Sequence, residues 1–175
     1  MRLFIAINFD EATKDRITAV QDRLRKTAKG NFSRRENFHL TLAFLGETDA
    51  EQVATICRIM ETLTVPKMKL DFDRVGRFRR ERGDIRWIGI KKQPELIALQ
   101  KELTDKLRRF GFPIEERGFS PHITLSRETV PLSPVNDREI MGESFSAQAD
   151  SISLMLSERI NGKLTYTEQY RVTAE

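Results

Sequence analysis

Apolar residues recur along this chain with two different periods. Residues 3–8 are a short apolar run that predicts an opening β-strand. Ile17, Val20 and Leu24 recur at helical spacing with charges between them. They predict a helix over residues 11–27, with Asp10 as its N-cap and Gly30 as its stop. Residues 31–37 are polar, residues 38–45 read as a strand, and Gly46 ends it. Val53, Ile56, Ile59, Met60 and Leu63 place a second helix over residues 49–63, stopped by Pro66. Met68, Leu70 and Phe72 alternate with charges and predict a half-exposed strand over residues 68–75. A charged loop, residues 77–83, leads to a strand at 85–90. Pro94 opens a third helix, to about residue 110, with Leu96, Leu99, Leu103 and Leu107 on one face. Strands are predicted at residues 122–126, 151–156 and 164–170, and residues 129–142 read as an irregular connection. Asn161-Gly162 marks a hairpin turn between the last two strands. The mixture lacks strict strand–helix alternation, so the class is α+β rather than a doubly wound parallel sheet.

The pattern repeats. A shift of 83 residues lays Phe4-Ile5-Ala6-Ile7 on Trp87-Ile88-Gly89-Ile90, Leu24 on Leu107, and His39-Leu40-Thr41-Leu42 on His122-Ile123-Thr124-Leu125. Each half runs strand, helix, polar loop, strand. Residues 1–175 therefore read as one domain of two pseudo-symmetric lobes, with the matched strands facing each other across a cleft.

Composition narrows the picture. A chain of 175 residues is about one domain, long enough to build a core without staples. With 39% hydrophobic residues the chain has enough Ile, Leu, Val and Phe to fold, which argues against long disorder. No apolar run approaches the length that crosses a bilayer, and the N-terminus reads as a strand rather than a signal peptide. One cysteine, Cys57, excludes a disulfide framework and a cysteine-based zinc site, and fits a reducing cytoplasm. The net charge of +4 permits an anionic partner without demanding one. The expectation is a cytoplasmic monomer with no membrane partner.

The chain has two histidines, and each stands two residues before a threonine with aliphatics between and after. On a strand, His39 and Thr41 share one face while Leu40 and Leu42 take the other; His122 and Thr124 do the same against Ile123 and Leu125. Each motif thus offers one imidazole and one hydroxyl to the same space. Two imidazoles can act as base and acid on opposite sides of a reacting phosphorus, and the hydroxyls can donate to its non-bridging oxygens. A substrate with its own strained phosphate, such as a 2′,3′-cyclic phosphate, would need no metal. Zinc wants three or four protein ligands, which two histidines do not supply without added carboxylates. No metal and no cofactor are expected.

These blocks resemble a known family. His39-Leu40-Thr41-Leu42 and His122-Ile123-Thr124-Leu125 look like the paired HxTx signatures of the two-histidine phosphoesterases. Residues 2–7, 37–47 and 121–127 are similar to one branch, the bacterial and archaeal RNA 2′,3′-cyclic phosphodiesterases once called 2′-5′ RNA ligases. The resemblance implies a bilobed α+β fold, with helices outside two antiparallel sheets and the histidines across a central cleft. It implies metal-independent hydrolysis of RNA or nucleotide 2′,3′-cyclic phosphate ends to 2′-phosphates, with 2′-5′ joining as the reverse reaction. By the family pattern His39 is the proton donor to the departing 3′-oxygen, His122 the acceptor that activates water, and Thr41 and Thr124 phosphate ligands. The motifs alone are too symmetric to assign the two histidine roles. Arg127, five residues past His122, also matches. In a regular strand it would share the face of Leu125, away from His122, so it reaches the phosphate only if the strand ends or bulges near Ser126. The competing function is an RNA- or nucleotide-binding module that keeps the pocket with little catalysis.

Other residues divide between roles. Arg77, Arg79, Arg80 and Arg82 with Phe78 form a loop that is either solvated or a grip on RNA phosphates. Arg34 and Arg35 are candidates for the cleft mouth. Phe38 and Phe119 read as packing more than as stacking platforms, and Trp87 and Cys57 read as core.

Overall fold

A computed structural model describes all of residues 1–175. The elements run β1 (Arg2–Asn8), α1 (Glu11–Arg25), β2 (Ala28–Phe32), a 3-10 turn (Arg35–Asn37), β3 (His39–Glu47), α2 (Ala50–Glu61), β4 (Met68–Phe78), β5 (Asp84–Ile90), α3 (Pro94–Arg109), β6 (His122–Pro131), α4 (Asp137–Met141), β7 (Phe145–Ala149), β8 (Ser151–Ile160) and β9 (Lys163–Thr173). The strands form two antiparallel sheets, one of order β3-β1-β8-β9 and one of order β2-β6-β5-β4-β7. β3 and β6 lie against each other where the sheets meet. The fold is α+β, as the mixed pattern predicts.

The two sequence halves exchange their helices. α1, from the first half, packs against β2, β7 and α4 of the five-stranded sheet. α3, from the second half, packs against β3 of the four-stranded sheet and against α2. One cluster of 38 buried residues joins both sides, from Ile5, Leu40 and Leu42 to Ile88, Ile123 and Leu125. The amphipathic faces are those read from the sequence: Ile17, Val20 and Leu24 on α1, and Leu96, Leu99, Leu103 and Leu107 on α3, are all buried.

Caps and turns fix the ends. The Thr13 N–H donates to Asp10 Oδ1 at 2.8 Å, capping α1. Asp49 and Gln52 close a capping box on α2. Asn161 and Gly162 both have positive φ, 52° and 77°, the two-residue turn that twists with a hairpin.

Several boundaries differ from the expectation. The first helix stops at Arg25, and Gly30 lies inside β2 rather than ending a helix. A Cβ on Gly30 would fall 2.7 Å from Ser126 Oγ and 3.0 Å from the Arg127 carbonyl, so glycine is there to let β2 approach β6. The stretch read as irregular instead extends β6 to Pro131 and adds the one-turn helix α4, capped by Asn136. β2 and β7 are five-residue strands at the two edges of their sheet, and the sequence pattern is too short to announce them. β8 and β9 outrun their apolar cores into mostly polar, exposed residues, and β4 runs three residues further than its alternation, to Phe78.

Candidate active site

The cleft faces of β3 and β6 are built by the same irregularity. Between β1 and β3 the register passes from Ala6 opposite Thr41 to Ile5 opposite Ala43, which leaves Leu42 unmatched. Between β5 and β6 it passes from Trp87 opposite Thr124 to Arg86 opposite Ser126, which leaves Leu125 unmatched. Each bulge buries two successive residues, Leu42 with Ala43 and Leu125 with Ser126. The alternation then resumes out of phase. Phe44 and Arg127 consequently emerge on the face that carries the histidines and threonines, and both are exposed. The bulge that Arg127 required is present.

Each histidine is oriented by the backbone just before it. His39 Nδ1 lies 2.7 Å from the Asn37 carbonyl and His122 Nδ1 lies 2.6 Å from the Ser120 carbonyl. A carbonyl only accepts, so Nδ1 carries the proton in both rings. Nε2 is therefore the nitrogen each presents to the cleft. On His39 that lone pair accepts from the Thr41 hydroxyl at 2.9 Å.

Each ring also sits in an aromatic cradle. Phe4 lies 4.8 Å from His39 and Tyr166 lies edge-on at 5.0 Å. Phe78 lies edge-on to His122 at 5.0 Å, and Trp87 is 6.0 Å away. Phe4 and Trp87 are partners under the 83-residue shift. Tyr166, from β9, and Phe78, from β4, come from strands the repeat does not relate. Trp87 is thus a cleft-wall residue and not core: it alternates with the buried Ile88, and Gly76 opposite it leaves room for its ring. Arg74 reaches over the same indole, 5.7 Å from its centroid.

Burial, reinforced by nearby positive charge, favours the neutral form of both imidazoles. Burial of the ring, followed by the positive charges of Arg127 and of a protonated His122, pushes His39 from 6.5 down to about 4, against the Asn37 carbonyl, which favours the charged form. Burial and then Arg127 lower His122 as well, opposed by the Ser120 carbonyl. Burial raises the Tyr166 phenol, while Arg127 and Arg2 act the other way. Arg127 therefore shares its field with both histidines and with Tyr166.

The remaining candidates separate cleanly. Phe38 is buried in the core and Phe119 packs partly against it; Cys57 is half-buried beside the same core. Arg35 is taken by α1, pairing with Glu11 and, at 2.7 Å, with Asp15. Arg34 pairs with Glu36 at 2.5 Å and donates to the Leu164 carbonyl at 3.1 Å. No three His, Cys, Asp or Glu side chains converge as a metal-ligand group, and no helix is long and apolar enough to cross a membrane. A cavity of about 470 Å³, lined by Leu24, Arg77, Arg86, Thr129 and Leu132, shares no residue with the histidine cleft. Tyr166 and Arg74 had no motif to announce them. Trp87 had one, since its alignment with Phe4 and its alternation with Ile88 already put it opposite the core.

The chain matches the family described as LigT like Phosphoesterase twice in succession, over residues 7–88 and 88–166. It is 31% identical over 148 residues to an RNA 2′,3′-cyclic phosphodiesterase of Archaeoglobus fulgidus, covering 83% of this chain and 84% of that one. It is 31% identical over 170 residues to the RNA 2′,3′-cyclic phosphodiesterase of Escherichia coli K12, covering 95% and 92%. The crystal structure of E. coli LigT complexed with 3′-AMP matches it with a TM-score of 0.85 and 28% identity, over 99% of this chain and 97% of that one.

Proposed function

The chain belongs to the LigT-like phosphoesterases, and from that premise we propose that it is a hydrolase that opens RNA 2′,3′-cyclic phosphate ends to 2′-phosphomonoesters. The observation that carries the reading is the pair of imidazoles, each with Nδ1 fixed on the carbonyl two residues upstream and Nε2 turned to one cleft. The names of the relatives and the 3′-AMP in the E. coli structure support a nucleotide substrate.

The terminal phosphate lies between the two HxTx strands, and Thr41 and Thr124 donate to its non-bridging oxygens. The Arg127 guanidinium faces the same oxygens and offsets their growing charge as water adds. Water attacks phosphorus in line with the 3′-oxygen. His122 Nε2 takes the water proton, and His39 Nε2–H delivers a proton to the 3′-oxygen as the P–O3′ bond breaks. The phosphate remains on the 2′-oxygen. At rest His39 is neutral, with Thr41 donating to its Nε2. Donation therefore begins with substrate binding: Thr41 turns to the phosphate, whose negative charge offsets Arg127 and lets Nε2 take up a proton. With a 5′-hydroxyl in place of water the same steps give the 2′-5′ ligation: His122 takes the hydroxyl proton, the 5′-oxygen bonds to phosphorus, and the P–O3′ bond breaks as His39 protonates the 3′-oxygen. Cleavage of a 2′-5′ linkage is that reaction run backwards. Catalysis is by the two imidazoles without metal, in a monomer, and one cysteine suits a reducing cytoplasm.

The test is an RNA with a 2′,3′-cyclic phosphate end, incubated with the protein and excess chelator. The expected product is a 2′-phosphate. Binding without turnover would reduce the protein to a nucleotide-binding module, and turnover only on addition of a divalent ion would overturn the metal-free mechanism.

A further inference from the structure

The two walls of the cleft end differently. At the positions just past the bulges, the first lobe shows exposed Phe44 and the second shows Arg127. The difference continues outward along the second lobe. Phe78, edge-on to His122 at 5.0 Å, is the last residue of β4. The turn that follows, residues 79–83, carries Arg79, Arg80 and Arg82 with one acid, Glu81. The Arg80 guanidinium is 5.9 Å from the Phe78 ring centroid. An unbroken path thus runs from the His122 imidazole over one aromatic ring to a basic hairpin tip.

These three arginines are unlike their neighbours. Arg74 pairs with Asp73 at 2.8 Å and Arg77 with Asp84 at 3.2 Å. Arg79, Arg80 and Arg82 are exposed, and none forms an ion pair. The β8–β9 hairpin of the other lobe has Glu158 among Arg159 and Lys163, and Arg159 is spent on the Gly162 carbonyl. Like charges crowded without counter-charges repel each other unless an anion visits them, and an aromatic ring among arginines is the pattern that holds single-stranded nucleic acid.

We infer that the β4–β5 hairpin holds the RNA chain on the 5′ side of the terminal nucleotide, so that the strand leaves the cleft across Phe78 and along Arg79, Arg80 and Arg82. The inference rests on the function proposed above, and it makes the substrate a strand rather than a mononucleotide. The opposite wall ends in exposed Phe44, which offers a phosphate no charge.

The experiment compares the wild type with the triple variant Arg79→Ala, Arg80→Ala, Arg82→Ala on two substrates: 2′,3′-cyclic AMP and a short oligoribonucleotide with a 2′,3′-cyclic phosphate end. The oligonucleotide kcat/KM should fall about tenfold or more at low salt, through KM, with the mononucleotide unchanged. The slope of log kcat/KM against log salt on the oligonucleotide should flatten by about 2, as expected for three lost contacts to a single strand. The Arg→Lys triple variant should keep that slope. Equal losses on both substrates, or none on the oligonucleotide, would overturn the inference. Fluorescence anisotropy with the same oligonucleotide ending in a 2′-phosphate separates the two readings. If the wild type hydrolyses neither substrate yet its binding is lost in the alanine variant, the hairpin stands and the catalytic reading falls.

Discussion

Leu42 and Leu125 are the unmatched residues of two β-bulges that occupy the same place in β3 and β6. They are related by the same 83-residue shift that aligns the two HxTx motifs. Each bulge lets the strand bury two residues in a row and still return its next side chain to the cleft. The repeat therefore supplies a geometry and not only a pair of motifs. It also places a break in symmetry at matched positions, because the returned residue is Phe44 on one strand and Arg127 on the other.

Arg127→Ala should move both histidines the same way. The guanidinium charge disfavours the protonated form of His39 and of His122. Its removal should raise both pKa values in an NMR titration while turnover falls by tenfold or more, the scale of a lost electrostatic stabiliser. Unchanged histidine pKa values would mean that Arg127 points away from the cleft in solution.

His39→Ala and His122→Ala should each cut turnover by at least about a hundredfold, the low end for a positioned acid or base. The double variant should cost much less than the product of the two, because they act as a unit. Circular dichroism should show both variants folded, since each removes a cleft side chain. Near-wild-type activity in either single variant would remove the acid–base mechanism.

Gly76→Ala tests the cradle rather than the chemistry. A Cβ there would stand 2.3 Å from Trp87 Cη2, so the indole must shift, and it lies beside His122. The expected result is a loss in kcat, with overpacking of about 1–3 kcal/mol in stability. Trp87 is the only tryptophan, so its emission reports the displacement directly. Unchanged emission and unchanged kcat would show that the cradle tolerates the shift.

Much of this site was legible in the sequence, and the missing part has a common physical cause. Period-two alternation is a property of one strand, and it correctly placed His39, Thr41, His122 and Thr124 on shared faces. A bulge is a property of two strands in register, so Arg127 could be given only a condition, later met at Leu125. The exchange of α1 and α3 between sheets is likewise invisible in a pattern that records which face is apolar but not what covers it. β2 and β7 escape the pattern because they are five-residue edge strands: β2 carries Lys, Gly and Asn between its two apolar ends, and β7 buries only Phe145 and two alanines, whose small side chains give a weak period-two signal. Trp87 was misplaced because a large apolar ring reads as core unless the glycine opposite it is recognised as the space it fills.

Acid should destabilise the protein in a definite window. The folded-state pKa of His39 is about 4, below its ordinary 6.5, so between these values the unfolded chain binds more protons than the folded one. Stability then rises with pH across the window and is lost as pH falls towards 4. The full shift corresponds to roughly 3–4 kcal/mol. Denaturant midpoints should show this slope in the wild type and a shallower one in His39→Gln. A slope steeper in the variant, or of opposite sign, would mean that the buried ring is not held neutral.

The pH–rate profile brings the resting charges and the mechanism together. One histidine must be neutral to accept a proton and the other charged to give one, so the rate is a bell with two coupled limbs. The kcat/KM profile reports the free enzyme, in which both imidazoles are lowered. Its optimum should fall on the acid side of 6.5, the ordinary histidine value. The kcat profile reports the complex, where the bound phosphate opposes Arg127, and its optimum should lie at higher pH. His39→Ala should remove mainly the alkaline limb and His122→Ala mainly the acid limb, with a 2′-phosphate as the product. Swapped limbs with the same product would exchange the two histidines between donor and acceptor. A 3′-phosphate product would mean that the ribose lies the other way round in the cleft, with its 2′-oxygen against His39.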